Sequence, residues 1–159
     1  MNIRPAITDD AASVAGLWNV MIRETLSTFT TDEKSIPELE TMISTRSGAF
    51  FVAIDEDQTV GFATFGPFRS GPGYAHTAEH TVIVARTYHG QGIGRKLLGA
   101  AEQAAQTSGH HVMVAGISHT NLAAQGFHQK LGYAQVGRLP QVGFKFGQWL
   151  DLVLMQKIF

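Results

Sequence analysis

Cysteine is absent from the 159-residue sequence, which excludes disulfides, a thiol nucleophile and a metal site built on thiolates. The sequence also lacks an apolar run long enough to span a bilayer, and its first ten residues lack the apolar core of a secretory signal. Because 159 residues with a hydrophobic content of 44% are ordinary for one globular unit, we expect a single cytoplasmic domain over residues 1–159.

Acidic residues are scarce in the second half of the chain. Residues 80–159 hold only two, Glu102 and Asp151, against seven lysines and arginines, whereas residues 1–79 hold eleven acids and five bases. The net charge of −1 therefore conceals a positive second half, which favours an anionic ligand there. The basic residues are scattered and lack interleaved aromatic residues, so neither nucleic acid nor a membrane is the expected partner.

Hydrophobic periodicity predicts seven strands and four helices in mixed order. Strands are predicted for the segments NIRPAI, AFFVAI, TVGFATFGPF, AHTAEHTVIVA, HHVMVAGI, YAQVGRL and WLDLVLMQKI. The predicted helices run from Thr8 or Asp9 to about Leu26, from about Ser35 to Ser47, from about Gly92 to Thr107, and from near Thr120 to Gly132. This order predicts an α/β protein with one mixed sheet and helices on both of its faces.

The segment HGQGIG, residues 89–94, has glycine at three alternate positions directly before a predicted helix. A dinucleotide fingerprint needs a third glycine where Arg95 stands, and an acidic residue about twenty positions further on, which is missing. A P-loop is excluded because Lys96 lacks its flanking glycine and hydroxyl residue. A plain glycine-rich turn is one interpretation. The other is a phosphate site, because backbone N–H groups and a helix N-terminus attract anions.

This segment, HGQGIGRKLL after HTVIVA, resembles the acyl-CoA pyrophosphate loop of the GNAT N-acetyltransferases. The family pattern is Gln or Arg, two residues, Gly, one residue, then Gly or Ala. Gly92 and Gly94 match the pattern, and His89 departs from it at the first position.

Further segments are similar to one branch of that family. Asn121 and Ala124 match a motif of the family's late helix, and His128 stands where most members have tyrosine. His128 in FHQKLGY, together with AEHTVIV, GPFR and GFKFGQWLDLVLMQ, is similar to the phosphinothricin and methionine sulfoximine N-acetyltransferases. The resemblance covers nearly the whole chain.

The resemblance implies the GNAT fold, a mixed and mostly antiparallel twisted sheet of about seven strands flanked by four helices. It implies acetyl-CoA as co-substrate without a metal, a homodimer, and direct transfer of acetyl to the α-amine of a phosphinothricin- or methionine sulfoximine-like amino acid in a ternary complex. The alternatives are a non-catalytic acyl-CoA-binding or sensing module, and acetylation of another amine such as a protein N-terminus, a polyamine or arsinothricin.

Two side chains are candidates for proton transfer. Glu79 is the one acidic residue in an apolar strand, between Thr77 and Thr81 on the same face, and the resemblance makes it a general base acting directly or through water. A salt-bridged strand glutamate is the alternative. His128 shares a helix face with Asn121, and the resemblance makes it the proton donor to the departing thiolate or an element of the proton relay. A half-buried flank histidine is the alternative, although a pure binder would need neither residue.

The resemblance also implies binding residues. It assigns acyl-CoA to Val82, Ile83, Val84, Gly90, Gln91, Gly92, Ile93, Gly94, Arg95 and Asn121. It places the substrate near Phe29, Arg69, Ser70, Gly71, Tyr74 and Lys145. In this set Arg69 matches a cation near the substrate carboxylate, the aromatic residues are expected to wall the pocket, and Lys145 is expected at the pocket rim or in a dimer contact. Simple packing or solvated positions are the alternatives.

The segment HTAEH, residues 76–80, also matches the spelling of some zinc peptidase motifs. That motif needs a helix, whereas the β-branched residues that follow favour a strand. In a strand His76 and His80 lie roughly 13 Å apart at about 3.3 Å per residue, too far for one zinc ion with bonds of about 2 Å. We therefore expect no metal at these histidines.

Overall fold

The computed structural model describes residues 1–159 and contains one sheet of seven strands. In chain order the strands are β1 (Asn2–Pro5), β2 (Phe50–Asp55), β3 (Gln58–Pro67), β4 (Thr77–Val84), β5 (Val112–Ser118), β6 (Ala134–Lys145) and β7 (Gln148–Ile158). Across the sheet the order is β1-β2-β3-β4-β5-β7-β6, and every neighbouring pair is antiparallel except β4 and β5. The predicted mixed, mostly antiparallel sheet is confirmed.

Four helices flank the sheet, namely α1 (Ala11–Glu24), α2 (Ile36–Thr45), α3 (Ile93–Thr107) and α4 (Leu122–Lys130). A capping box starts α2, because Ser35 Oγ accepts the N–H of Glu38 while the Glu38 carboxylate accepts the N–H of Ser35. The first helix ends two residues before the predicted Leu26, because Thr25 adopts an extended conformation and its Oγ1 donates to the Met21 carbonyl. None of the four helices has the length and apolarity that a membrane crossing requires.

Helices cover both faces of the sheet, as predicted. On one face α1 and α2 enclose a core in which Trp18 packs against Phe62 of β3, with ring centroids 5.1 Å apart. On the other face α3 buries Leu97 and Leu98 against the sheet. The buried side chains of a strand alternate between the two cores, as Val52 and Ala53 of β2 do, because successive side chains of a strand point to opposite faces.

The only parallel pair of strands separates soon after it forms. Thr77–Glu79 of β4 pairs with Val112–Val114 of β5, and no further pair follows. From His80 onward, β4 therefore has no neighbouring strand on that side, and its main-chain groups there are open to another hydrogen-bonding partner. The gap between the two strands determines where the candidate site lies.

Candidate active site

A cavity of about 210 Å³ opens where β4 and β5 separate. Its walls come from the end of α1 and the loop after it, from β4 and β5, and from the start of α4. The residues that line it are Trp18, Met21, Ser27, Thr28, His80, Thr81, Val82, Ile83, Ala115, Gly116, Ile117, Asn121, Ala124 and His128. Four predicted site residues are in this wall, and none of the lining side chains is acidic.

Glu79 lies beside the cavity, at the last residue that β4 pairs with β5. Its Oε1 is 3.8 Å from the position that a Cβ on Gly116 would occupy, so the absence of a side chain on Gly116 leaves the carboxylate next to the cavity wall. The side chain stays accessible to solvent, whereas the sequence suggests a buried carboxylate. Desolvation by the surrounding protein, with no charged neighbour contributing, raises the pKa of Glu79.

Glu79 and the other predicted catalytic residue, His128, lie on opposite faces of the sheet. Glu79 shares its face with Ile83, four residues on, which packs in the core under α1 and α2. The intervening His80 points to the opposite face and contacts His128 of α4. The cavity in the gap thus lies between a carboxylate on one face and a pair of histidines on the other.

His80 and His128 form a buried hydrogen-bonded pair. Their Nε2 atoms are 3.1 Å apart and the ring planes are 13° from parallel. The Nδ1 of His128 lies 2.7 Å from the Ala124 carbonyl oxygen, which can only accept, so this nitrogen carries the hydrogen. Burial, together with repulsion from His128, lowers the pKa of His80 to about 3, and burial also lowers the pKa of His128.

Both rings are therefore neutral at pH 7, with fixed tautomers. Since Nδ1 of His128 holds its hydrogen, its Nε2 accepts from the Nε2–H of His80. His128 has no N–H left to direct at a sulfur atom, which disagrees with its predicted role as proton donor to the thiolate. The alternative interpretation, a structural histidine on the helix flank, fits its contacts, although the ring is almost fully buried and not half-buried.

Asn121 shapes the cavity wall through contacts within the protein. Its Oδ1 accepts the N–H of Ala124 at 3.0 Å, which caps α4, and its Nδ2 donates to Ser27 Oγ at 3.2 Å. The cap lies one residue after the predicted Thr120. Each amide atom makes one contact within the protein and keeps a second hydrogen or lone pair, so contact of Asn121 with the pantetheine arm stays a prediction.

Lys145 is buried, and not at the pocket rim as predicted. Its side chain is 1% exposed, and its Nζ donates to the Thr25 and Thr28 carbonyls in the loop after α1. Burial lowers its pKa. Phe29 of the same loop packs on Gly143 of β6, where an added Cβ would lie 2.5 Å from the ring. Neither Phe29 nor Lys145 lines the cavity, so both support its wall from behind.

The glycine-rich loop leads from β4 into α3. Gly90 and Gly92 have φ of +78° and +77°, in the left-handed region that favours glycine, and Gly92 precedes the first residue of α3. Gly94 has another reason to lack a side chain, because an added Cβ would lie 3.3 Å from the ring of Phe127. His89 donates from Nε2 to the Val84 carbonyl at 2.8 Å, so a ligand that binds this carbonyl would share it with His89, and the cofactor role of Val84 stays a prediction.

The remaining loop residues differ in exposure. Gln91 and Arg95 are exposed, while Ile93 is buried in the core and can offer a ligand only its main chain.

The predicted substrate residues Arg69, Ser70, Gly71 and Tyr74 are all exposed in the connection between β3 and β4, and none lines the cavity. The Arg69 guanidinium lies over the ring of Phe68, 5.7 Å from its centroid.

Sequence reasoning missed His80, Gly116 and the hydroxyls of Ser27 and Thr28. In the sequence His80 stands out only as part of HTAEH, where it suggests a metal ligand. Its partner lies 48 residues away, so the pair has no local signal. The hydroxyls of Ser27 and Thr28 belong to a polar loop without periodicity. The only signal for Gly116 is its place inside a strand, where glycine often marks the close approach of a ligand or of another backbone segment.

Sequence comparison finds a match to the acetyltransferase (GNAT) family over residues 18–133. The chain is 39% identical to an L-amino acid N-acyltransferase of Escherichia coli K12, covering 98% of this chain and 92% of that protein. It is 37% identical to a methionine sulfoximine/methionine sulfone acetyltransferase of Salmonella typhimurium LT2, covering 98% and 93%. It is 32% identical to a phosphinothricin N-acetyltransferase of Streptomyces coelicolor, covering 99% and 95%.

A solved structure has the same fold. It is a Salmonella typhimurium protein determined with its cofactor acetyl-CoA, and it superposes with a TM-score of 0.95 at 35% sequence identity, covering 99% of this chain and 93% of that one.

Proposed function

The chain belongs to the GNAT family and is an acetyl-CoA-dependent N-acetyltransferase, and we propose that its acceptor is the α-amine of a small amino-acid analogue. Methionine sulfoximine, methionine sulfone and phosphinothricin are the proposed types, because proteins that cover nearly the whole chain act on them. The observation that carries the proposal is the unpaired carboxylate of Glu79 beside a small cavity without acidic lining residues. A cavity wall without acidic residues suits a zwitterion better than a polyamine, whose several positive charges need carboxylates. We propose that a single domain over residues 1–159 supplies the whole wall.

The proposed position of the nucleotide end of acetyl-CoA is the loop at the start of α3. The first N–H groups of α3 have no side-chain cap, and Gly90 and Gly92 keep the approach to them clear. Arg95 adds an exposed positive charge within the first turn. The open edges of Val82 and Ile83 line the cavity and suit the arm that leads to the thioester. Bound acetyl-CoA supplies a thioester carbonyl carbon that an amine can attack.

Glu79 is proposed as the general base. The attacking amine must be neutral, and Glu79 takes a proton from it on a carboxylate oxygen as the nitrogen bonds to the acetyl carbonyl carbon. The carbon–sulfur bond of the thioester then breaks, and CoA leaves as a thiolate that takes a proton from water. The raised pKa of Glu79 brings the carboxylate closer to neutral pH, which makes it a better proton acceptor than an ordinary glutamate. Arg69 is proposed to pair with the substrate carboxylate, because its guanidinium has no acidic partner and lies in the connection that leads into β4.

An assay of acceptor amines tests the proposed function. Purified protein with acetyl-CoA is expected to release CoA thiol with methionine sulfone, methionine sulfoximine or phosphinothricin, and mass spectrometry is expected to find the N-acetyl product. For at least one of these amino acids, kcat/KM is expected to exceed that for spermidine or for a peptide with a free N-terminus by about tenfold or more. A tenfold ratio corresponds to a difference of about 1.4 kcal/mol in activation free energy. Turnover of only the peptide or the polyamine would contradict the proposed substrate class.

A homodimer is proposed through the hairpin of β6 and β7. Seven of the twelve exposed large apolar side chains lie on this hairpin, namely Ile158 at the far end of β7 and the group Val136, Leu139, Val142, Phe144, Phe146 and Trp149. β6 is also an edge strand with one unpaired side. A second copy is the simplest partner for such a surface, because a two-fold contact covers the same apolar patch and edge on both chains.

Replacing Trp149 by lysine is expected to shift the protein from dimer to monomer in sedimentation velocity, because a charge would enter the centre of the proposed contact. Trp149 is 63% exposed, so the substitution costs the isolated chain little. The matched control is Ile158→Lys, which changes a 62% exposed side chain at the other end of the same strand and is expected to leave the dimer intact. A wild-type protein that sediments as a monomer at micromolar concentration would contradict the proposal.

A further inference from the structure

One buried cation connects the C-terminal hairpin to the loop between α1 and α2. The Nζ of Lys145 in β6 donates to the Thr25 carbonyl at 2.7 Å, to the Thr28 carbonyl at 2.9 Å and to Thr28 Oγ1 at 2.9 Å. An ammonium group has three hydrogens, so all of its donors are used within the protein. Lys145 therefore has no hydrogen left for a substrate, and its action on the site is indirect.

Two other contacts hold the same short segment, residues 25–29. The ring of Phe29 lies against the backbone of Gly143, two residues before Lys145 on the same side of β6. Asn121 donates from the start of α4 to Ser27 Oγ at 3.2 Å. The segment is thus fixed from β6 and from α4, although it has no regular secondary structure of its own.

The fixed segment is part of the cavity wall on the side of the proposed base. Ser27 and Thr28 both line the cavity. The segment continues α1, and α1 lies on the same face of the sheet as Glu79. The glycine-rich loop, in contrast, leads into α3 on the opposite face. A shift of residues 25–29 would therefore change the space for the amine and leave the loop proposed for the nucleotide end in place.

The charge of Lys145 is what this arrangement needs. An apolar side chain of similar length would fill the same volume, and a buried charge often contributes no more to stability than an apolar replacement. Only a group with several donors can hold two carbonyls and a hydroxyl of an irregular segment at once. The cost of burying the ammonium is thus better explained by the geometry of the loop than by the stability of the hairpin.

We propose that Lys145 is a positioning residue that sets the amine-side wall of the cavity through Thr25 and Thr28, and so contributes to the choice of acceptor. The inference rests on the proposed function, because it takes the acceptor to be a small amine bound beside Glu79. In this role Lys145 acts on the substrate only through the position of Thr25 and Thr28, and does not contact the substrate itself.

The test compares Lys145→Met with the wild type, using methionine sulfone and acetyl-CoA as varied substrates. Methionine keeps the length and the apolar stem but removes all three donors. KM for the amine is expected to rise about tenfold or more, with KM for acetyl-CoA within about twofold, since losing even part of one charge-assisted hydrogen bond is enough for that change. Hydrogen–deuterium exchange of residues 25–30 is expected to accelerate. Lys130→Met, at an exposed lysine of α4, is the control and is expected to change none of these values.

A second variant keeps the test decisive if Lys145→Met does not fold. Thr28→Val removes only the hydroxyl acceptor and keeps the shape of the side chain, so a smaller rise in the amine KM and faster exchange are expected. A folded Lys145→Met or Thr28→Val protein with an unchanged amine KM would overturn the inference, and so would equal rises in both KM values. An error in the proposed substrate class would appear in the acceptor assay and would remove the comparison of amine KM values. The exchange measurement needs no amine, so unchanged exchange of residues 25–30 in Lys145→Met would still overturn the inference.

Discussion

Replacing Glu79 by glutamine is expected to lower kcat by about 10²–10⁴-fold, because a general base typically contributes that much to a proton transfer. Glutamine has the shape of glutamate but cannot take up a proton. Acetyl-CoA affinity, measured by calorimetry, is expected to stay within about twofold of wild type, because the proposed nucleotide contacts lie in another loop. A tenfold change in Kd would correspond to about 1.4 kcal/mol of binding free energy.

The pH dependence should change with the same substitution. The pKa of Glu79 is raised by desolvation, so the carboxylate becomes protonated, and the base is lost, at a higher pH than for an ordinary glutamate. The wild-type kcat/KM is therefore expected to fall on the acidic side, and this contribution should be missing from the profile of Glu79→Gln. The loss of activity caused by the substitution should therefore be largest above the pKa of Glu79 and should shrink as the pH falls through it, because the wild type then loses its base as well.

A matched substitution separates the role of Glu79 from a general effect of charge. Glu40→Gln removes an exposed carboxylate from α2, away from the cavity lining, and is expected to leave kcat and the pH profile unchanged. If Glu79→Gln retained a profile of wild-type height and shape, the proton would have to leave by another route, such as ordered water or the substrate itself.

The fold was predictable because its signals are local. Alternation marked the strands, and the predicted start of α2 at about Ser35 coincides with the capping box that Ser35 and Glu38 form. The left-handed conformations of Gly90 and Gly92 are conformations that glycine supplies at least cost. The boundary errors were also local, as at Thr25, where a side-chain bond to the Met21 carbonyl ends α1 early. The resemblance to the GNAT family, which rested on the loop and the late helix, is confirmed by the comparisons.

The site was less predictable because its contacts join distant segments. Glu79 could be proposed from the sequence because a lone carboxylate in an apolar strand is conspicuous, and its role stays a prediction. The roles of Asn121 and Lys145 could not be read from the sequence, since their partners lie 94 and 117 or more residues away in a loop without periodicity. The donor role of His128 depended on which of its nitrogens was free, and that is decided by Ala124 and by His80.

His80 and His128 make a second large effect testable, this time on stability. Replacing either one by phenylalanine is expected to lower the free energy of unfolding by about 2–3 kcal/mol, because the remaining histidine then has a buried nitrogen without a partner. His80→Phe leaves the Nε2 acceptor of His128 unpaired but also removes the His80 Nδ1, which is buried without a partner in the wild type, so the smaller loss is expected for this variant. His128→Phe leaves the Nε2–H of His80 unpaired. The double variant is expected to lose less than the sum, by about 1–3 kcal/mol, because neither unpaired group is left.

The same pair should make the wild-type protein sensitive to acid. The pKa of His80 is lowered from its ordinary value to about 3 in the folded state, while the unfolded chain takes up the proton near pH 6.5. The unfolded state therefore binds more protons between these values, so the stability that the neutral pair provides is present above about pH 6.5 and is lost progressively as the pH falls toward 3. His128, whose pKa is also lowered by burial, adds to the same trend.

Urea unfolding of the four proteins at several pH values measures both effects in one cycle. The double phenylalanine variant should show a weaker loss of stability between pH 6.5 and pH 4 than the wild type, because the two buried titrating groups are gone. A matched control is His111→Phe, at an exposed histidine directly before β5, which should follow the wild-type curve. Additive single losses would show that the two rings are not coupled through their nitrogens. A thiolate donor role for His128 would then have to be tested again, because that nitrogen would be free to turn toward the cavity.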